Sequence, residues 1–425
     1  MQEDIEPPAT MDIGRKRWLM LALGTTAQTA ACVFVYGVPY LVPALRTEDH
    51  LSLAQAGGVI AAPTLGLVVA LVAWGAAADH YGERVVLLSG LTLSALALLA
   101  GVFVHGPMPL GVTFFLAGAA GASVYAASGR VVMGWFDHRR RGLAMGVRQT
   151  STPLGMGIAA LSVPLLADRW GVRGVLLFTT VLTGAVALAV ALYVSDPPRP
   201  ARPATNAFTG KPASPYRTPA LWRIHGASAL LVWPQFTISA FGLVFLIDAL
   251  GWSPAGAGRL MALGQLLGAM ARIGAGTWSD RVGSRLRPMR RLATATAALT
   301  ALLALCAHWP SWPAAVVLVV ACGLAGSTNG LSFTSTAELA GPHWAGRALG
   351  VQNTGQNLIA SLTPPLAGAL IGTSHYAAAF ALATAVAAVA LLAVPAGRRP
   401  ATRPPGPTGT HSGSRPGPPA GSCPG

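Results

Sequence analysis

Charged residues are scarce in this sequence of 425 residues. Asp, Glu, Lys and Arg make up 10% of the chain and apolar residues 53%, whereas ordinary soluble domains are roughly a quarter charged. So few charges cannot cover the surface of a 43.4 kDa globule, and the mean hydropathy of +0.54 indicates that the outer surface meets lipid. The composition therefore excludes an ordinary water-soluble protein.

Cysteine is rare as well, and no metal-ligating or catalytic pattern accompanies it. Cys32, Cys306 and Cys322 lie inside apolar stretches and Cys423 lies near the C-terminus, with no CxxC or Cys/His spacing. No Walker motif is present, and the nine histidines lie mainly between the apolar runs. The sequence thus predicts no disulfide framework, metal site or cofactor. It also disfavours a membrane-embedded enzyme or sensor, which is the most remote alternative function.

What the chain has instead is a series of twelve apolar runs without acidic residues in their middle. Most are long enough for a helix that crosses about 30 Å of hydrocarbon, and too long for the strands of a membrane barrel. The runs predict twelve membrane-spanning helices, numbered span 1 to span 12 below. They begin near Trp18, Leu51, Val85, Pro107, Leu143, Gly174, Ile224, Ser253, Leu292, Pro313, Ala348 and Tyr376.

The basic residues, which give a net charge of +15, are distributed unequally between the two sides of these spans. Of the 29 Lys and Arg residues, 22 lie at the N-terminus, in the even-numbered loops or in the tail. The opposite side has three, Arg46, Arg169 and Arg173, and the other four lie within spans. The positive-inside rule therefore predicts that both termini are cytoplasmic. Because the charges are spread over short loops, they do not indicate binding to nucleic acid.

The predicted domain organisation is a membrane bundle in two halves with polar segments around it. Residues 1–17 form a cytoplasmic N-terminus, residues 18–194 the first six-helix bundle and residues 225–395 the second. Residues 195–224 are rich in Pro and basic residues and are predicted to form a cytoplasmic linker. Residues 396–425 are predicted to form a disordered cytoplasmic tail.

The two halves contain the same motifs at a nearly constant offset. The sequence from Gly75 to Arg84, GAAADHYGER, ends span 2, and the sequence from Gly276 to Arg285, GTWSDRVGSR, ends span 8 with Gly, Asp, Gly and Arg in the same places. A second pair begins spans 5 and 11, where GLAMGVRQT at Gly142 matches GRALGVQNT at Gly346. The chain is therefore an internal duplication of one six-helix unit.

These repeated motifs resemble the hallmark of the major facilitator superfamily (MFS), G-x-x-x-D-R-x-G-R/K-R/K, and the resemblance covers about residues 18–395. It implies an all-α membrane protein with twelve transmembrane helices in two pseudo-symmetric six-helix bundles, which rock about a central cavity. It also implies that loop charges pair across the bundle in one of two alternating conformations. The alternative is that they are ordinary topology-setting loop charges. The predicted gating residues are Asp79, Gly82, Arg84, Asp280, Arg281, Gly283 and Arg285, and the repeat adds Asp137 and Glu338, 201 positions apart at the ends of spans 4 and 10, as their acidic partners.

The sequence departs from the family pattern in two places. The first motif has His80 where the family usually has Arg, and Glu83 where a basic residue is usual, so the charge network of the first half is expected to be weaker or pH-sensitive. In span 5, Ala159 and Ala160 stand where the drug antiporters of the family have Gly-Pro. This disfavours a drug or multidrug efflux antiporter, which stays the alternative function.

The resemblance also implies that spans 1, 4, 7 and 10 line the central cavity. Gln28, Tyr125, Gln235 and Asn329 lie near the middle of these spans and are the predicted substrate contacts there. A polar side chain at this depth needs a partner or a water-filled cavity. Such residues also serve as structural hydrogen bonds between helices, and this alternative has similar weight.

Three arginines within spans complete the predicted substrate-binding set: Arg130, Arg148 and Arg272. We expect no acidic residue at their depth, so they would leave a positive cavity that favours a small anionic substrate. Arg272, two turns before the motif of span 8, also resembles the anion-binding arginine of the monocarboxylate and oxalate branches of the family. The alternative is that these arginines snorkel to headgroups or bond helix carbonyls.

The function predicted from these residues is a secondary active or facilitative transporter that moves a small organic anion by rocker-switch alternating access. The expected partners are this small-molecule substrate and the lipid bilayer, with a proton as coupling ion left open and no nucleic acid. The protein is expected to be a monomer and a multi-pass protein of the cell (inner or plasma) membrane.

Overall fold

The computed structural model describes residues 13–48, 53–197, 214–309 and 312–395. Within these ranges the backbone forms α-helices and short 3-10 turns, and no strand is found there. The helices are α1 (Ile13–Gly37), α2 (Val42–Glu48), α3 (Leu53–Tyr81), α4 (Glu83–Phe103), α5 (Pro107–Trp135), α6 (Arg141–Arg148), α7 (Ser151–Tyr193), α8 (Pro219–Asp248), α9 (Pro254–Val282), α10 (Leu286–Cys306), α11 (Trp312–Ala325), α12 (Thr328–Ala340) and α13 (Ala345–Ala393).

In the described ranges, nine helical segments are long and apolar enough to cross a membrane. One of them, Arg141–Tyr193, turns back at Gly171, where φ is +65°, and therefore contains two crossings. The long helix α13 is broken in the same way at His375, where φ is +71°. Adding α9 and the first part of α13, which are more polar, gives twelve crossing segments, as the sequence predicts.

The predicted spans correspond to these helices as follows. Spans 1 to 4 are α1, α3, α4 and α5; span 5 is α6 with residues 151–170, and span 6 is residues 172–193; spans 7 to 9 are α8, α9 and α10; span 10 is α11 with α12; spans 11 and 12 are residues 345–374 and 376–393.

The spans form two lobes, the N-lobe with spans 1 to 6 and the C-lobe with spans 7 to 12. Each has its own apolar core with edge-to-face aromatic pairs, such as Phe34 with Phe114 and Phe245 with Phe380. Large apolar side chains also cover the outside, and Leu161 is 75% exposed. In a membrane this apolar surface is in contact with lipid rather than water.

The lobes meet at the end of the bundle that carries the loops between spans 2 and 3, 4 and 5, 8 and 9, and 10 and 11. This end contains most of the arginines in the described loops and is called the arginine-rich end below. An apolar cluster crosses between the lobes here: Met145 and Phe136 of the N-lobe pack in one cluster with Phe333 and Leu349 of the C-lobe. The contacts close the bundle at this end.

Two predicted boundaries differ from the structure because helices continue beyond their apolar stretch. Span 1 was expected to begin at residue 18, yet α1 begins at Ile13 and includes the basic residues at positions 15–17. The second bundle was expected from residue 225, yet α8 begins at Pro219, a residue favoured in the first helical turn. Residues 1–12, most of the linker (198–213) and the tail (396–425), with Cys423, lie outside the described residues.

Candidate functional site

Asp79, the last acidic residue of span 2, binds the first turn of span 11 in the opposite lobe. Its carboxylate accepts hydrogen bonds from the backbone N–H of Gly346 at 2.8 Å and of Arg347 at 3.0 Å. The N–H groups of a first helical turn have no partner within the helix, and the helix dipole places positive potential there. Asp79 therefore caps a helix of the C-lobe from the N-lobe.

Asp280, the equivalent residue of span 8, makes the same contact in the opposite direction. Its carboxylate accepts from the backbone N–H of Gly142 at 3.0 Å and of Leu143 at 2.8 Å, in the first turn of span 5. The two lobes are thus joined by a reciprocal pair of helix caps, both at the arginine-rich end. This is the pairing across the bundle that the resemblance implied for these two aspartates.

Glycines allow the capped helices to approach this closely. A Cβ atom at Gly75 of span 2 would lie 2.3 Å from the carbonyl oxygen of Gly346 in span 11. A Cβ at Gly276 of span 8 would lie 2.1 Å from the carbonyl oxygen of Gly142 in span 5. Any larger residue at these positions would push the lobes apart.

The same crossing recurs one turn deeper in the bundle. A Cβ at Gly146 of span 5 would lie 2.5 Å from the carbonyl oxygen of Arg272 in span 8, and one at Gly350 of span 11 would lie 2.7 Å from that of Leu71 in span 2. All four contacts follow the internal repeat. Spans 5 and 8 and spans 11 and 2 therefore form two matching backbone-to-backbone seams.

Arg285 ties the loop after span 8 to both lobes. Its guanidinium forms an ion pair with Asp280 and donates to the Ser279 hydroxyl at 2.7 Å. It also donates to the backbone carbonyl of His138 in the N-lobe at 2.6 Å and pairs with Glu338 at 3.2 Å. His138 lies 3.6 Å from the same Glu338 carboxylate. Glu338 is thus the acidic partner that the repeat suggested.

The N-lobe uses a different arginine for the same purpose. Arg130 of span 4 forms an ion pair with Asp79, donates to Glu83 at 2.8 Å and donates to the carbonyl of Pro342 at 3.3 Å. The expectation that Arg130 has no acidic residue at its depth is therefore wrong. The reason is that Asp79 and Glu83 are both buried at the junction of spans 2 and 3, which the linear sequence places in a solvated loop. The structure places Arg130 with the closing contacts and away from the cavity.

Three other predicted gating residues do not pair across the lobes. Arg84 donates through its backbone N–H to Asp196 and through its side chain to the carbonyl of Ala191, both at 2.8 Å and both in the N-lobe. Arg281 and Asp137 are exposed, and neither forms an ion pair with any residue that the structure describes. Arg130 takes the position beside Asp79 that Arg285, the repeat equivalent of Arg84, takes beside Asp280.

Gly82 and Gly283, the remaining predicted gating residues, form the turns at which spans 2 and 8 end. Their φ angles are +95° and +64°, a region in which only glycine is unstrained. Their role is to let the chain reverse immediately after each capping aspartate.

Four of the seven predicted substrate contacts line one central cavity between the lobes. Gln28 and Tyr125 contribute from the N-lobe, and Gln235 and Asn329 from the C-lobe. The cavity holds about 50 Å³. The other residues that line it are Tyr36, Gln149, Thr152, Val232, Phe236, Phe333, Asn353, Gln356, Asn357 and Ala360.

The polar side chains on both sides of the cavity are already hydrogen-bonded to one another. Ser128 of span 4 donates to Gln28 of span 1 at 3.1 Å, and Asn329, the repeat equivalent of Ser128, donates to Gln235 of span 7 at 3.1 Å. Asn353 donates to the carbonyl of Tyr125 in the other lobe at 3.4 Å. These residues are therefore in part structural bonds between helices, which was the alternative to substrate contact.

Arg148 lies behind the cavity wall and has only neutral partners. It is 1% exposed and donates to the Ser128 hydroxyl at 2.8 Å, to Gln149 Oε1 at 3.1 Å and to the carbonyl of Tyr125 at 3.0 Å. Its guanidinium also lies over the ring of Phe333, 5.4 Å from the centroid. No carboxylate among the described residues pairs with it. Three of its partners, Tyr125, Gln149 and Phe333, line the cavity.

Arg272 is the second buried arginine without an acid. It is 5% exposed, and two glycines make room for its guanidinium: a Cβ at Gly326 would lie 2.2 Å from Nη2, and one at Gly268 would lie 3.0 Å from Nη1. In the part of the chain that the structure describes, no hydrogen bond or ion pair reaches this guanidinium. It lies between spans 8 and 10 and does not line the central cavity.

Sequence reasoning missed the polar residues that spans 5 and 11 contribute to the cavity. Gln149 and its repeat equivalent Asn353 both line it, together with Gln356 and Asn357 one turn further along span 11. A signal for them was present, because carboxamides inside apolar runs are costly unless they face a polar space. The repeat motif that ends in RQT and QNT contains two of the four.

Two lobes of six helices, a polar cavity between them and closing contacts at one end define a membrane transporter that works through two related halves. The sequence pattern of the Major Facilitator Superfamily matches residues 25–363 and 289–421. The chain belongs to this superfamily. It is 44% identical over 369 residues to an uncharacterized MFS-type transporter of Mycobacterium tuberculosis, which covers 86% of this chain and 82% of that protein.

Two further similarities are more distant. A probable nitrate/nitrite transporter of Mycobacterium tuberculosis is 27% identical over 244 residues, which is 56% of this chain and 60% of that protein. The crystal structure of the Escherichia coli fucose:proton symporter has a TM-score of 0.71 with 14% identity, and the match covers 89% of this chain and 98% of that one. The structural similarity shows the fold that the sequence predicts.

Proposed function

We propose that the protein is a secondary transporter that moves a small organic anion by alternating access, and that Arg148 provides the positive charge that attracts the anion. The observation that carries the proposal is the burial of this guanidinium beside the cavity without a carboxylate among the described residues. A buried cation that is paired only with neutral groups has a large desolvation cost. An anion in the cavity would offset that cost.

The lining of the cavity suits the rest of such a substrate. Its polar groups are carboxamides, two phenols and one threonine hydroxyl, and carboxamides both donate and accept hydrogen bonds. Oxygen atoms of a small metabolite can therefore be bound from both lobes. That the more distant relative is described as a nitrate/nitrite transporter supports an anionic substrate for this fold and sequence pattern.

Arg272 is proposed as a second contribution to the positive potential, from the C-lobe. Its guanidinium has no partner among the described residues, and the glycines around it leave space where a Cβ would stand. A charge at this depth raises the potential of the cavity even without direct contact. Arg130, by contrast, is neutralised by Asp79 and Glu83, so we propose a gating role for it instead of substrate contact.

We propose that the arginine-rich end faces the cytoplasm of a cell whose plasma membrane contains the protein as a monomer, with both termini on that side. The excess of Lys and Arg on this side supports the orientation. On this proposal, the structure represents the conformation that is closed toward the cytoplasm. Transport then requires the two helix caps and the two glycine seams to separate while the opposite end closes.

A thermal-shift experiment on the purified protein in detergent tests the anion proposal. The probes are acetate, lactate, gluconate, oxalate and nitrate as sodium salts, with tetraphenylphosphonium as a lipophilic cation. A ligand that binds only the native state raises the free energy of unfolding by about 2.7 kcal/mol when its free concentration is 100 times its Kd. We expect at least one organic anion to raise Tm in the parent and in Arg290→Gln, an exposed control, and not in Arg148→Gln.

Two outcomes would contradict the proposal. A rise in Tm with the lipophilic cation and none with anions would favour the drug efflux alternative. An anion-dependent rise that Arg148→Gln retains would show that Arg148 does not attract the substrate, and retention in Arg272→Gln as well would exclude both buried arginines.

A further inference from the structure

His225 is the one buried histidine among the described residues, and it lies inside the C-lobe. It is 8% exposed, six residues after the start of α8, and therefore about 9 Å from the arginine-rich end of that helix. A lone histidine near the end of an apolar run has no motif that would distinguish it in the sequence. Its surroundings in the structure do distinguish it.

Both ring nitrogens of His225 have hydrogen-bonding partners on other elements. Nδ1 contacts Oε1 of Gln352 in span 11, and because this oxygen can only accept, Nδ1 is the donor. Thr336 of span 10 donates to the same oxygen at 3.3 Å. Nε2 lies 3.3 Å from the hydroxyl of Tyr216, in the short 3-10 turn that ends the linker. This arrangement fits a neutral imidazole whose Nε2 accepts from the phenol.

Gln352, the partner of His225, has a charged equivalent in the N-lobe. Its equivalent in the N-lobe, at the offset of 204 that relates Gly142 to Gly346, is Arg148. Where the N-lobe has a permanent cation beside the cavity, the C-lobe has a neutral amide with a titratable imidazole against it. At this position the C-lobe therefore has a group, the imidazole of His225, that is positively charged only when it binds a proton.

Hydrogen bonds continue from this site toward the cavity. One turn along span 7, Ser228 accepts from Gln356 Nε2 at 2.6 Å, and Gln356 is one turn along span 11 from Gln352. Gln356 lines the cavity and lies 3.4 Å from Asn329 Oδ1. Spans 7 and 11 are therefore joined by two consecutive polar contacts between the buried histidine and the substrate cavity.

The charged groups around His225 do not favour its protonation in this conformation. On its own helix, Arg223 is directed to the carbonyls of Leu392 and Ala393 at the end of span 12. Arg347 of span 11 lies over the ring of Trp344, which packs against Tyr216. Span 10 contributes Thr336, and no carboxylate of the described residues contacts the imidazole. A proton on His225 would therefore be a buried charge with no acid among the described residues to offset it.

We propose that His225 is a proton-binding site of the transport cycle: it is neutral while the arginine-rich end is closed and takes up a proton when that end opens to water. The residue is coupled to the opening because Gln352 lies next to the span 11 segment that forms the seam with span 2. If the open state has the higher proton affinity, acid pH favours the open state. The size of this shift equals the difference in proton-binding free energy between the open and closed states. The inference rests on the alternating-access part of the proposed function and does not depend on the substrate being an anion.

The phenol of Tyr216 allows a second, independent test of the proposal. Burial raises the pKa of Tyr216 to about 12, so its hydroxyl keeps its proton at neutral and acid pH and can donate to the neutral Nε2. A hydrogen bond to the neutral form disfavours protonation. Removing the hydroxyl in Tyr216→Phe should therefore let His225 bind its proton at higher pH, by about half a pH unit.

Proton binding is measured by the tryptophan fluorescence of the purified protein between pH 5.5 and 8. The ring of Trp222 lies 6.3 Å from that of His225, and a protonated imidazole quenches indole emission. His308 with Trp309, ring centroids 6.0 Å apart on an exposed segment, is a second pair of this kind, so every protein that is titrated carries His308→Gln. In this background we expect a titration that His225→Gln removes and that Tyr216→Phe moves to higher pH.

Gate opening is measured in parallel as a distance between spin labels at Arg139→Cys and Arg287→Cys, exposed positions in the two lobes at the arginine-rich end. All native cysteines except buried Cys32 are replaced by serine. Acid pH should lengthen this distance in the parent. It should not do so in His225→Gln.

His138 must be separated from this effect because it also lies at the interface. Its Nε2 lies 3.6 Å from the carboxylate of Glu338 in the other lobe. We expect His138→Gln to keep or enlarge the acid-induced opening. The proposal is overturned if the parent shows no titration, if His225→Gln keeps it, or if Tyr216→Phe leaves the midpoint unchanged or lowers it. The last criterion applies even if His225→Gln does not fold.

Discussion

The carboxylate of Asp79 lies 2.8 Å from the backbone nitrogen of Gly346, a residue 267 positions later in the chain and in the other lobe. The equivalent carboxylate of Asp280 caps Gly142 at 3.0 Å. Each aspartate binds a helix N-terminus of the opposite lobe. On the alternating-access proposal, these contacts between a charge and a helix dipole stabilise the closed state and break together when the lobes rock.

We expect Asp79→Asn and Asp280→Asn each to weaken the closed state by about 1 kcal/mol, since an uncharged cap interacts less strongly with the helix dipole. A thiol at Met145→Cys, buried between the lobes, should then react several times faster with a water-soluble maleimide. Asp248→Asn, which neutralises the carboxylate that accepts from Tyr376 at the opposite end, is the control. An equal acceleration in the control would contradict the assignment.

Two glycines in span 8 allow a matched comparison, because one lies in a seam and the other does not. A Cβ at Gly276 would lie 2.1 Å from the carbonyl of Gly142, whereas one at Gly274 has no atom within 4 Å. Gly276→Ala should open the seam and speed amide hydrogen exchange in the peptide that contains Gly142 and Leu143. Gly274→Ala should leave that exchange unchanged. Similar exchange in both variants would show that the close approach does not hold the lobes together.

Arg130→Gln should destabilise the protein without abolishing the anion-dependent thermal shift. The substitution removes the ion pairs of Arg130 with Asp79 and with the 2% exposed Glu83, and breaking a buried pair in this way costs about 3–5 kcal/mol. The measurement is Tm in detergent, with Arg290→Gln as the exposed control. Loss of the anion response with an unchanged Tm would instead place Arg130 in the substrate site.

Arg272 and Gly326 should be coupled in a double-mutant cycle. Because a Cβ at Gly326 would lie 2.2 Å from the guanidinium, Gly326→Ala should lower Tm in the parent and cost less in an Arg272→Ala background. For residues in contact, the coupling free energy is about 0.5–3 kcal/mol. Additive effects would show that the arginine moves away freely and that the glycine is not needed to accommodate it.

The fold could be predicted from the sequence because the bilayer imposes simple rules on it. Apolar runs of about 20 residues locate spans, and the repeated motifs show that the two halves are copies. The breaks at Gly171 and His375 lie close to the predicted starts of spans 6 and 12, Gly174 and Tyr376, although one of them has a histidine where glycine is usual. A span boundary at such a residue is given by the chain reversal and not by the residue type.

The site was only partly predictable because partners in a bundle are far apart in the sequence. Gln28, Tyr125, Gln235 and Asn329 were found from their depth, which the sequence contains. The pairing of Arg130 with Asp79, 51 positions away, depends on how spans 2 and 4 pack, and the sequence does not contain that information. The same holds for His225 and Gln352, which no motif connects.

The two seams have a consequence for a chain of half this length. In one seam Gly75 contacts Gly346. In the other, the repeat equivalents of these two residues, Gly276 and Gly142, contact each other. A protein consisting of the N-lobe alone would have both surfaces on a single molecule. Two copies of it related by a two-fold axis could form the same interface as a homodimer, without a covalent link between them.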